Sequence, residues 1–114
     1  MEISCVVIEL KPNSKARVEE WAAFILTNKE EALLTLENEG VTVENFFFTE
    51  IESKDYLIGY MRAKSMAQAH EAVEASLSKI DTYHTQFQKD CWVRGIRTES
   101  VLTLDRLVAE EENA

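Results

Sequence analysis

Two histidines, His70 and His84, fall on one apolar stripe that runs Met66, His70, Val73, Leu77, Ile80, His84, Phe87 and Cys91 at alternating four- and three-residue spacing. An imidazole in apolar surroundings has a shifted pKa and a proton to exchange near neutral pH, so His84 is the first candidate for a general base. Tyr83, Tyr60 and Glu44 are its candidate partners, and Tyr60 is the second catalytic candidate. The plain alternative is a core histidine hydrogen-bonded to a backbone carbonyl, and the sequence leaves both readings open. His70 lies nearer the helix start, where exposure is expected, and joins the ligand-binding candidates.

Trp21, Phe46, Phe47, Phe48, Tyr56, Tyr60, Phe87 and Trp92 are enough aromatic surface to line a pocket for a ring-shaped or acyl ligand, or simply to fill a core. Glu44 and Arg62 fall within strand patterns, where an inward charge is costly; facing inward they would orient a polar ligand, and facing outward they would be solvated. The candidate binding set is therefore Glu44, Phe46, Phe48, Tyr56, Arg62, His70, Tyr83 and Trp92.

Other chemistries find no residues to carry them. Fourteen residues separate the histidines, which on one continuous helix is a rise of about 21 Å, too far to share a metal. HxH, HExxH and CxxC patterns are absent, so no metal is assigned. No haem or other cofactor is expected. Three glycines, Gly40, Gly59 and Gly95, form no phosphate-cradling loop.

The chain of 114 residues carries 12 basic and 21 acidic side chains, a net charge of −9, which disfavours nucleic acid as a partner. Cys5 and Cys91 sit inside apolar patterns and read as reduced thiols. The first residues are strand-like rather than signal-like, and no apolar run approaches the roughly 20 residues of a membrane helix. A cytoplasmic protein without a membrane partner is the expectation.

The elements that must position these residues follow in a clear order. A β-branched run, Ile3 to Leu10, reads as a central strand. After Lys11-Pro12-Asn13-Ser14, with Asn13 or Ser14 as N-cap, an amphipathic helix runs to about Asn38 and is stopped by Gly40. Thr27-Asn28-Lys29 interrupts its stripe and marks a bend or a break. Strands are expected over Val41 to Glu52 and Tyr56 to Ala63, joined by Ser53-Lys54-Asp55. A long helix from Ser65 to Cys91 and a last strand from about Thr98 to Leu107 follow, then an acidic tail, Ala109 to Ala114, expected to be disordered. This βαββαβ order predicts an α+β, ferredoxin-like sandwich over residues 1–108, a four-stranded antiparallel sheet with two helices on one face. The other face is too apolar for water in either register of Phe46-Phe47-Phe48, so a homodimer packed sheet to sheet is expected.

Two groups of segments resemble an uncharacterised family of the dimeric α/β-barrel superfamily. They are Thr35-Leu36-Glu37-Asn38-Glu39-Gly40 with Asp55-Tyr56-Leu57-Ile58-Gly59-Tyr60-Met61, and Ile80-Asp81-Thr82-Tyr83-His84 with Cys91-Trp92. The superfamily includes cofactor-independent quinol monooxygenases, haem-degrading enzymes, decarboxylases or cyclases and ligand-binding regulatory domains, so the resemblance implies a small-ligand pocket without choosing a reaction. The leading expectation is a dimer binding a small organic molecule near His84. The alternatives are a cofactor-independent monooxygenase-like or isomerase-like enzyme using His84 or Tyr60, and a non-catalytic interaction module.

Overall fold

The computed structural model describes residues 1–107, so the acidic tail lies outside the described residues. Strands β1 (Glu2–Leu10), β2 (Val41–Ile51), β3 (Lys54–Ala63) and β4 (Trp92–Arg97) form one antiparallel sheet in the order β2-β3-β1-β4. Its helices are α1 (Lys15–Thr27), α2 (Lys29–Glu39), α3 (Met66–Ala75) and α4 (Lys79–Cys91). The architecture is ferredoxin-like, with each expected long helix replaced by two.

The first break is at Asn28, where the sequence leaves a bend or a break open. Thr27 Oγ1 donates to Ala23 O at 2.8 Å and Asn28 Nδ2 to Phe24 O at 2.9 Å. Side chains that bond back to the preceding turn compete with the helix, and Asn28 takes a non-helical conformation. Gly40, at φ 73°, ends α2 as expected, in a left-handed conformation that glycine adopts without strain.

The second break corrects the continuous helix expected from Ser65 to Cys91. Ser76 and Ser78 are extended, and Leu77 between them is 98% exposed rather than on the stripe. Ser78 starts α4 afresh: its Oγ accepts from Asp81 N at 3.1 Å and donates to Asp81 Oδ2 at 3.2 Å. This S-x-x-D cap provides a partner for helix-start N–H groups that a continuous helix would not leave free. A period of 3.6 cannot register a three-residue interruption that keeps the flanking stripes in phase.

The last strand also differs from its expected range, Thr98 to Leu107. Trp92 turns extended directly at the end of α4, and β4 pairs with β1 from Leu10↔Trp92 to Val6↔Arg97. Residues 98–107 leave the sheet and cross its outer face, held by Thr98 Oγ1 on Cys5 O and by Arg62 to Asp105 at 2.8 Å. At the start of α1, Ser14 occupies the N-cap position without a side-chain cap, because its hydroxyl donates to Lys11 O instead.

Register settles the two faces. Ile8, Leu57 and Phe48 point to the helices, as do Val6, Gly59 and Phe46 two pairs further along. Val7, Ile58 and Phe47 point away, and Phe47 is 55% exposed. Under the helices the core falls into two clusters, one around Ile8, Trp21, Leu57 and Phe87 and one around Val41, Ala63 and Ala69.

The break at Ser76–Ser78 predicts that Leu77→Ala changes stability by less than about 0.5 kcal/mol, whereas Ile80→Ala costs about 2–4 kcal/mol in urea unfolding. Equal, large losses at both positions would mean that one continuous helix forms.

Candidate functional site

Residues of both core clusters line a cavity of about 940 Å³ between the helices and the sheet. The exposed residues Leu26, Lys29 and Leu33 on one side and His70 and Glu74 on the other mark its rim. Inside, Trp21 stacks on Phe87 with centroids 4.6 Å apart and meets the edge of Phe46 at 4.9 Å. Phe46 lies across Gly59, where an added Cβ would come within 3.0 Å of Cε1, so the glycine makes room for that ring. The wall is mainly apolar, with a few polar groups reaching in.

His84 is half-buried on this wall, with Trp21 at 5.6 Å, Phe46 at 6.1 Å and Trp92 at 6.1 Å between ring centroids. Burial pushes its pKa below the ordinary imidazole value, although the charge of Asp81 opposes this. Gln88 Nε2 lies 2.9 Å from His84 Nε2; with the amide as donor the ring is neutral and its proton is on Nδ1. The hydrogen-bond contact of His84 is thus with a side-chain amide one turn further along α4.

Three carboxyl groups of the lining, those of Glu39, Glu44 and Asp81, lie close enough to repel one another. Glu39, 6% exposed, is pushed up to about 8, first by burial and then by the charges of Asp81 and Glu44, with Asp81 within hydrogen-bonding reach. Its place in the last turn of α2, where the helix dipole opposes negative charge, acts in the same direction. Glu44 keeps accessible surface because it faces the open cavity, yet surrounding protein and Asp81 raise its pKa too. Asp81 is buried in the first turn of α4, three residues before His84. The arrangement can hold a proton between carboxyls and present a neutral imidazole to a ligand.

Of the residues singled out in the sequence, His84, Glu44, Phe46, Phe48 and Trp92 meet at this cavity, and His70 stands at its rim. Tyr60 borders it, but the alternation of β3 puts Tyr60 on the sheet face opposite Gly59 and Met61, where it also borders a second cavity of about 410 Å³. The structure does not bring it to His84. Tyr56 shares that outer face, paired with Glu9 and Thr49. Arg62 also faces outward, bound to Asp105. Tyr83 is turned to α1, stacked on Phe24 at 3.9 Å with its hydroxyl accepting from Arg17 at 3.0 Å. Glu39 and Asp81 were not among the candidates. Their signals were present: an acid beside a helix-stopping glycine, and an S-x-x-D cap three residues before the candidate histidine.

A family whose description is "Family of unknown function (DUF6176)" matches residues 1–109. The chain belongs to that family. Family membership is in keeping with the segments that resemble an uncharacterised family, and two of those segments supply Glu39 and Asp81. None of the curated proteins matches the chain. Among solved structures it is similar to one described as "Putative antibiotic biosynthesis monooxygenase from Nitrosomonas europaea", with a TM-score of 0.50 and 11% identity over 90% of this chain and 100% of that one. At that identity the likeness concerns the fold. Among the described residues no helix is long and apolar enough to cross a membrane, and no group of three or more His, Cys, Asp or Glu is placed to hold a metal ion.

The raised Glu39 sets a sign for stability against pH. A carboxyl whose folded pKa lies near 8 stabilises the fold below its ordinary value of 4.5 and loses that contribution as pH rises toward 8. His84 acts oppositely, since its lowered pKa removes stability as pH falls below 6.5. Glu39→Gln should therefore raise the melting temperature more at pH 8.5 than at pH 5.5. A gain that does not depend on pH would show that Glu39 is ionised and solvated throughout.

Proposed function

We propose that this protein binds a small organic molecule in the cavity between its helices and sheet, with His84 as a polar focus. The observation that carries the reading is the cavity itself: about 940 Å³ of mostly apolar wall with a few convergent polar groups, the usual form of a small-ligand site. Glu44, Phe46, Phe48 and Trp92 complete the binding wall and His70 stands at the entrance. The catalytic alternative, a cofactor-independent monooxygenase-like or isomerase-like enzyme, keeps His84 as its base. One observation favours it, the neutral ring held against aromatic neighbours.

The functional unit is a homodimer of one domain over residues 1–108. A second copy covers the outer sheet face, where Val43, Phe47, Ile51 and Ile96 are exposed. The net charge of −9 argues against nucleic acid, no membrane partner is needed, and the two free cysteines suit a cytoplasmic location.

Thermal-shift screening against a metabolite library should find compounds that raise the melting temperature of the native protein but not of folded His84→Ala. If no compound stabilises the native protein, the binding reading fails. Light scattering after size exclusion should give the mass of a dimer, converted to a monomer by Phe47→Lys. A native monomer would contradict the sheet-to-sheet pairing.

A further inference from the structure

The cavity holds acidic groups with which no cation among the described residues forms an ion pair. The ion pairs formed among the described residues lie elsewhere: Arg17 with Glu20 and Asp90, Lys54 and Arg94 with Glu9, Arg62 with Asp105 and Lys79 with Glu31. None involves Glu39, Glu44 or Asp81. Asp81 has a structural task, because it belongs to the Ser78 cap. No cap or ion pair accounts for Glu39 or Glu44. Glu39 is more than nine-tenths buried, and its Oε1 receives no hydrogen bond. An acceptor left in that state is costly, and is retained where something else satisfies it.

A second observation is independent of the acids. Trp21 is 5% exposed and its Nε1 has no acceptor; Trp92, on the same cavity, also has an unpartnered Nε1. The cavity thus presents unanswered acceptors and unanswered donors together with aromatic faces, which attract cations through the ring quadrupole. Lys29 stands at the exposed rim, outside this interior.

We propose that the ligand is an organic cation: an apolar, ring-bearing molecule whose protonated amine is received by Glu39, Glu44 and Asp81. The inference rests on the cavity being a ligand site, as proposed above, and names the class of molecule it takes. An ammonium group has three donors and no acceptor, which fits Glu39 Oε1 and the carboxylates beside it. The indole N–H groups suit a hydroxyl or carbonyl oxygen on the ligand body. An anionic ligand would meet like charge at the three carboxyls.

Matched probes separate head group from body. Both tryptophans of the chain line the cavity, so their fluorescence reports occupancy. Titrations at 150 mM salt would compare arylethyl ammonium, arylethanol and arylpropanoate compounds with phenyl, naphthyl and biphenyl bodies. The ammonium compound of at least one body should bind ten-fold or more tightly than its alcohol, with the carboxylate weakest. Glu39→Gln and, separately, Glu44→Gln should bring amine and alcohol to within about three-fold. Glu37→Gln, at an exposed acid on α2, should leave the preference unchanged. Binding that ignores the head group, or a preference that Glu37→Gln weakens as much as the cavity variants, overturns the cation assignment while the binding reading stands. Failure of every probe to bind overturns both.

Discussion

The carboxyl of Glu39 is buried beside that of Asp81 with no cation among the described residues paired to either, and much of the site depends on how that is tolerated. A lone carboxylate cannot be taken from water cheaply, and two facing each other are worse. The proton that Glu39 retains removes one of the charges, and the Ser78 cap at the start of α4 holds Asp81 in place. Glu44 adds a third acid from the sheet. The cluster therefore joins the end of one helix, the start of another and a central part of β2 around one space.

That space exists because the chain does not close over it. Continuous helices would present continuous apolar stripes to the sheet; here the stripes are divided at Asn28 and at Ser76–Ser78, and the core beneath is divided into two clusters. Residues on either side of both breaks line the cavity: Leu26 and Lys29 at the first, Glu74 and Ile80 at the second. The close approach of Phe46 to Gly59 keeps the sheet side aromatic without filling the interior. A packed core would gain more from apolar burial than this arrangement does, and sites that sacrifice packing and polar satisfaction together are commonly functional.

Much of the fold was legible in the sequence because it rests on strong local signals. The β-branched run of β1, the Gly40 stop and the short turn between β2 and β3 each have one natural reading, and the element order they mark out is that of a ferredoxin-like sandwich. The breaks were harder. Asn28 disturbs its stripe and was visible as an interruption, whereas Ser76-Leu77-Ser78 leaves Ile80, His84, Phe87 and Cys91 in phase with Met66 and Val73. Leucines at 102, 104 and 107 looked like strand residues, but β1 was already paired by the more compact Trp92–Arg97 segment. In the site, the place of His84 on its stripe followed from periodicity, whereas which phenylalanines face inward depended on the β2–β3 register. Glu39 and Asp81 were not legible, since acids at helix ends are ordinarily solvated, and only the tertiary fold brings these two together.

The most direct measurement is the titration of the Glu39 side-chain carboxyl by carbon-detected NMR on the ligand-free protein. The structure predicts a midpoint near pH 8, with the Asp81 carboxyl resonance responding over the same range. A midpoint near the ordinary 4.5, with no response at Asp81, would mean that the two carboxyls are separately hydrated, and the buried acidic cluster on which the site is built would not exist.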